Sequence, residues 1–286
     1  MIKKAVIPAA GYGTRFLPIT KAIPKEMLPI IDRPTIEFIV EEAKQSGIEE
    51  ILIIVSSNKN AIIDYFDRNL ELETILLQKS KQDLFNLVHH IGDGVHLFFV
   101  RQKEQLGLGH AILQAEAFTA NEPFAVLLGD DMFVSEHTPA LQQIIDVYEN
   151  KKCSVLGTME VALEHTNKYG ICNPKEIKDG VMSLKGVVEK PNSKDAPSQF
   201  AIAGRYVLTP AIYKYLKTQN KGKGGEIQLT DAILRLMDEE PVFAKNMNAK
   251  RYDVGSKIDY IEAIIDRALQ DEALKKDIQA LIKRKG

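Results

Sequence analysis

The stretch Ala5-Val6-Ile7-Pro8-Ala9-Ala10-Gly11-Tyr12-Gly13-Thr14-Arg15 sets a short apolar run directly before a loop of small residues. A buried strand that opens into alanines and glycines leaves backbone N–H groups clear for a phosphate or a base to approach closely, so the segment is expected to form an anion cradle. Its glycines do not make the G-x-G-x-x-G of a dinucleotide site, and no G-K-S or G-K-T of a P-loop occurs in the chain. Taken alone, a tight turn without a ligand is the commoner reading of such a loop.

Working outward, short apolar runs at Ala5 to Pro8, Ile51 to Val55, His96 to Val100 and Phe124 to Leu128 alternate with amphipathic stretches. The latter predict helices at about Ile36 to Gln45, Ala61 to Phe66, Leu72 to Ile91 and His110 to Phe118. That order predicts an α/β fold with a doubly wound, mostly parallel sheet, in which ligands collect beyond the carboxyl ends of the strands. The loops after Pro8, Val100 and Leu128 should therefore meet in one crevice. After a helix near Pro139 to Asn150 the pattern turns strand-rich at Ser154 to Val161, Val181 to Lys190 and Gln199 to Leu208. Helices return at Ala211 to Leu216, Thr230 to Asp238 and Lys257 to Leu269, before a charged tail from Asp271 to Lys285. No repeat or low-complexity linker divides the chain, so residues 1–286 are expected to form a single domain, with a nucleotide-binding half to about residue 150.

Composition narrows the partners. Thirty-seven basic residues against thirty-nine acidic ones give a formal charge of -2, which supplies no electrostatic case for nucleic acid or an anionic membrane as the main partner. Apolar runs fall well short of the ~20 residues that span a bilayer. Cys153 and Cys172 lack a CxxC spacing and neighbouring histidines, which argues against a disulfide or zinc and fits a reducing cytoplasm.

The loop continues as Phe16-Leu17-Pro18-Ile19-Thr20-Lys21-Ala22-Ile23-Pro24-Lys25-Glu26-Met27-Leu28-Pro29. Here the sequence resembles the sugar-phosphate nucleotidyltransferase family, marked by G-x-G-T-R-x-x-P followed by P-K-x-[ML]-[LV]-P. The run Lys21 to Pro29 is similar to its bacterial UTP-glucose-1-phosphate uridylyltransferase branch. The resemblance extends from Lys3 to about Leu269, and implies a Rossmann-like sheet of nucleotidyltransferase type with an added strand-rich sugar-binding region and C-terminal helices. It also implies that Ala9, Ala10, Gly11, Gly13, Thr14 and Glu26 belong to the nucleotide site. Chemically, Arg15 offers a planar fork for the β- and γ-phosphates, and Lys25 a point charge for the reacting α-phosphate.

Further candidates stand at later strand ends. Gln102 can both donate to and accept from uracil, and the glycines that follow let a base lie flat; the resemblance implies that Gln102 and Gly107 face the base. His110 reads as a helix-start residue and is assigned no chemistry. Asp130, in Gly129-Asp130-Asp131-Met132, is the best ligand for Mg²⁺, which takes hard oxygen donors. Asp253 resembles a second metal carboxylate in the family's late D-x-G-[ST] segment, but equally suits bracing the helix that begins near Lys257. For the sugar, Glu189 can accept from two hydroxyls and Lys190 can neutralise the sugar phosphate. Gly170 would bring backbone against a hydroxyl, and Gly204 is a further sugar contact.

The expected reaction is direct: an oxygen of glucose 1-phosphate attacks the α-phosphorus of UTP, diphosphate leaves and UDP-glucose forms. Because the nucleophile is already ionised, no side chain need act as a base, and Arg15, Lys25, Asp130 and Lys190 are the catalytic candidates. A dTTP-using transferase and an inactive nucleotide-sugar binder are the rivals. The resemblance implies a homodimer or homotetramer, with the Leu72 to Ile91 helix and the tail packing either between subunits or onto their own domain.

Overall fold

The structure is a computed structural model and describes residues 1–285, apart from the side chains of Lys223 and Lys285; the terminal Gly286 of the expected domain lies outside the described residues. A nine-stranded sheet runs in the order His96–Arg101, Glu50–Val55, Lys4–Pro8, Phe124–Leu127, Phe200–Leu208, Val155–Glu160, Phe243–Asn246, Val181–Glu189, Gly170–Lys178. The first four strands pair in parallel. Phe200–Leu208 and Val181–Glu189 run against both of their neighbours, while the remaining strands keep the direction of the first four. The sheet is thus mostly parallel and joins both halves of the chain.

Its central strands are mostly apolar on both faces because both faces are covered. Val6, Leu52, Ile54 and Val126 enter one core together with Ala111 and Ile112 of helix Leu108–Leu113, Ile212 of helix Ile212–Thr218 and Ile233 of helix Leu229–Leu236. Ile7, Ile51, Ile53 and Leu127 enter the other, against Ile36 and Ile39 of helix Thr35–Gln45 and Ile144 of helix Ala140–Lys151. Alternation along each strand feeds the two cores in turn, which is the doubly wound arrangement expected.

A smaller cluster of Ile30, Met132, Tyr252, Val254 and Ala263 packs a two-stranded ribbon, Asp131–Val134 with Lys250–Asp253, against helix Lys257–Gln270. This ribbon brings the late segment to the fourth strand and pairs Asp253 with Asp131. Beneath it, Arg205 is fully buried and forks onto Glu42 (3.1 and 2.6 Å) while donating to the Asp131 carbonyl (2.7 Å). Glu42 also accepts from the Leu141 N–H at 2.9 Å. One buried ion pair thereby ties two helices to the backbone of the site, with its charges compensated as burial requires.

Two sequence expectations need correction. The single helix over Leu72 to Ile91 is two, Leu70–Gln78 and Gln82–His89, separated where Ser80 takes a left-handed φ of +53°. The helix from His110 to Phe118 likewise divides into Leu108–Leu113 and Glu116–Thr119. Among the described residues no helix is long and apolar enough to cross a membrane.

Candidate active site

The loop leaving Lys4–Pro8 doubles back at Gly13, whose φ is +66° and whose carbonyl accepts from Thr20 Oγ1 at 2.8 Å. A Cβ on Gly13 would come 3.1 Å from Thr20 Cγ2 and 3.3 Å from Lys25 Cβ, so glycine lets the loop lie against the proline-rich segment. Ala10, Gly11, Gly13, Thr14 and Lys25 line a cavity whose opposite wall carries Gln102 and Gly107. The structure does not bring Ala9 and Glu26 to this cavity. The Ala9 N–H is bound to the Ile54 carbonyl at 2.8 Å, and Glu26 is 1% exposed, accepting from Lys59 Nζ at 2.7 and 2.9 Å. Burial raises the Glu26 carboxyl against the pull of Lys59, and lowers the Lys59 amine against the pull of Glu26. The Glu26–Lys59 pair is a brace under the loop: a Cβ on Gly129 would come 3.3 Å from Glu26 Cγ.

At the end of the fourth parallel strand, Asp130 is ion-paired with Lys25, and Arg15 Nη1 reaches Asp253 Oδ2 at 3.3 Å. Burial alone would raise the Asp130 carboxyl, but Lys25, Arg15 and Arg251 outweigh it and hold it below its ordinary value. Burial alone would lower Lys25, but Asp130 and Glu26 outweigh it and keep the amine charged. Asp253 Oδ1 and Asp130 Oδ2 each lie 2.9 Å from the point a Cβ on Gly255 would occupy, and Arg15 Nη2 lies 2.8 Å from it. Asp130 and Asp253 thus meet beside Gly255 and Arg15, and such a pair of carboxylates suits Mg²⁺, which takes one or two carboxylates and completes its shell with phosphate oxygens and water. Asp253 also serves its own turn, accepting from the Gly255 N–H at 3.0 Å just before helix Lys257–Gln270.

A second cavity contains Arg15, Asp130, Gly170, Glu189, Lys190, Gly204 and Asp253. Glu189 Oε2 accepts from Thr230 Oγ1 at 2.7 Å, and a Cβ on Gly170 would come 3.3 Å from the same oxygen. Lys190 leaves the strand at a left-handed φ of +46° and lies 3.3 Å from Glu189 Oε1. Such a backbone outlier re-aims the side chain where the strand ends. The sequence reading missed Thr230 as the partner of Glu189, and it missed Arg251. The latter lines this cavity, with Nη2 2.5 Å from Asp131 Oδ1, yet neither Arg251 Nε nor Asp131 Oδ1 makes a hydrogen bond. Burial, opposed by Arg251 and aided by Asp130 and Asp253, pushes the Asp131 carboxyl up to about 6. Arg251 stands two residues before Asp253 on a strand, hence on the same face, and that spacing was its available signal.

The two cavities share Leu108, Leu128 and Glu226, so they meet beside Arg15, Lys25 and Asp130. Residues 4–269 match the family model described as "Nucleotidyl transferase". A protein of Staphylococcus haemolyticus named UTP–glucose-1-phosphate uridylyltransferase is 53% identical over 285 residues, spanning 100% of this chain and 99% of that protein. Among solved structures, a UTP-bound UGPase from Acinetobacter baumannii is 40% identical with a TM-score of 0.92, over 99% of both chains. A UDP-glucose pyrophosphorylase complexed with UDP-glucose is 44% identical with a TM-score of 0.87, over 95% of this chain and 100% of that one. With strand-end cations, carboxylates and a glycine-rich loop gathered around one crevice, the chain belongs to the nucleotidyl transferase family.

Proposed function

We propose that this chain transfers the uridylyl group of UTP to α-D-glucose 1-phosphate, releasing diphosphate and forming UDP-glucose. The observation that carries the reading is the seam between the two cavities, where Arg15, Lys25 and Asp130 stand between a base pocket holding Gln102 and a sugar pocket holding Glu189. A nucleotide with its base at Gln102 and Gly107 would lay its phosphates along the glycine-rich loop, within reach of Arg15 and Lys25. A sugar held by Glu189 and the Gly170 backbone would turn its phosphate toward Lys190 and the same seam.

Attack by that phosphate oxygen on the α-phosphorus, in line with departing diphosphate, needs alignment and charge neutralisation rather than a base. Lys25 and Arg15 would neutralise charge on the α-phosphate and the leaving group, and Lys190 would hold the nucleophile. Asp130 and Asp253 would hold Mg²⁺, which, when bound, supplies further neutralisation of the phosphates. The Asp130 carboxyl, kept ionised by its cations, suits that role. A homodimer or homotetramer and a cytoplasmic setting complete the proposal. Exposed Leu70, Leu77, Leu84 and Leu87 on the paired helices support a subunit contact there.

Diphosphate release measured for each of UTP, dTTP and CTP with each of several sugar 1-phosphates tests the reading. UTP with glucose 1-phosphate should give the highest kcat/KM. A preference for dTTP would move the chain to thymidylyl transfer, and no turnover with any pair would leave only binding.

A further inference from the structure

We propose that His110 sets the orientation of the Gln102 side-chain amide, so that a carbonyl oxygen rather than an NH₂ group faces the nucleotide base. The inference rests on Gln102 reading the base, and adds the residue that decides what it reads.

Gln102 is 4% exposed and follows the third parallel strand directly, its N–H bound to the Val55 carbonyl at 2.9 Å. Its Nε2 lies 2.9 Å from His110 Nδ1 and 3.4 Å from the Gly107 carbonyl. A backbone carbonyl can only accept, so the atom near both partners is the NH₂ group; turning the amide over would set two oxygens against each other. With both protons of that NH₂ committed, His110 Nδ1 must be the lone-pair nitrogen, and the ring proton sits on Nε2. The other ring contact weighs less. Gln114 Nε2 is 3.3 Å from His110 Nε2 but donates to the His110 carbonyl at 3.2 Å, so it has no need of that nitrogen. A clash of two donors at 2.9 Å on the Gln102 side would cost more than the looser contact at 3.3 Å.

Oε1 of Gln102 is then left without a hydrogen bond among the described residues, on a side chain that lines the base cavity. An oxygen there accepts the imide N3–H of uracil. Cytosine carries a lone pair at the same ring position, and two acceptors facing each other in a buried site are disfavoured. The backbone that carries the ring is held firmly. Gly109 N–H donates to the Ile227 carbonyl at 2.8 Å and Ile227 N–H to the Leu106 carbonyl at 2.7 Å, clamping the first turn of the helix that carries His110.

The test is kcat/KM for UTP and for CTP, each with glucose 1-phosphate, in the wild type, His110→Phe, His110→Gln and Gln102→Leu. Phenylalanine keeps the ring and removes the acceptor, so the UTP-over-CTP ratio should fall by about tenfold or more. Glutamine restores an acceptor and should recover much of the ratio. If His110→Phe keeps the wild-type ratio while Gln102→Leu loses it, Gln102 reads the base unaided and the proposal is overturned. If neither variant changes the ratio, the base reading itself is wrong. Should His110→Phe fail to fold, the ¹⁵N shifts of the neutral His110 ring in the wild type decide: a bare Nδ1 is expected, and a protonated Nδ1 overturns the proposal.

Discussion

Gly204 stands where the strand Phe200–Leu208 loses register with Val155–Glu160, and its φ is +69°. A methyl group there would overlap Asp131 Oδ2, so the glycine makes room for a buried carboxyl. Gly204→Ala is expected to cost about 2 kcal/mol or more in urea denaturation, from the strained backbone and the overlap together. In an Asp131→Ala background the same change should cost distinctly less; equal costs would separate the glycine from Asp131. Residues such as Lys25 and Asp130 were legible because prolines or a strand end fix their place along the chain. Arg251 and Thr230 were not, since each acts on a partner, Asp131 or Glu189, that only the folded chain brings near.

At the scale of elements, the strands buried on both faces could be read from their continuous apolar runs, whereas Gly170–Lys178 could not. It forms the edge of the sheet, its second half is exposed, and Lys175, Glu176 and Lys178 give it the look of a loop. The ribbon Asp131–Val134 with Lys250–Asp253 was equally hidden, because four-residue strands distant in sequence carry no local signal. The division of the Leu72 to Ile91 stretch at Ser80 has no glycine or proline to announce it. What holds the two resulting helices is Glu73, buried between Arg68 and His89. The Arg68 hydrogen bonds, helped by His89 and opposed by burial, hold the Glu73 carboxyl down at about 2, against an ordinary 4.5. Its folded pKa is depressed, so its contribution to stability is present above the ordinary value and lost as pH falls toward the folded one. Thermal melts of wild type and Glu73→Gln should therefore differ near neutral pH and converge as pH drops toward 2. A gap independent of pH would contradict the ion-pair account.

Across the whole molecule, the mostly parallel sheet sends its first, third and fourth strands to one end, and the loops that leave them carry Arg15, Gln102 and Asp130. Phe200–Leu208 and Val181–Glu189 fold back and, with the edge strand Gly170–Lys178, add Gly204, Glu189 and Gly170, so that two cavities share a wall. The general crevice followed from element order, while its closure on the sugar side depends on the antiparallel strands, whose pairing no local pattern declares. The central claim is that nucleotidyl transfer occurs at this seam through the Asp130 carboxylate. Its most direct test is the initial rate of UDP-glucose formation from UTP and glucose 1-phosphate, with Mg²⁺ present, in wild type and in Asp130→Asn of matched melting behaviour. The account predicts readily measured turnover in the wild type and a fall of roughly a thousandfold in the variant; a folded Asp130→Asn protein within a few-fold of the wild-type rate would contradict it.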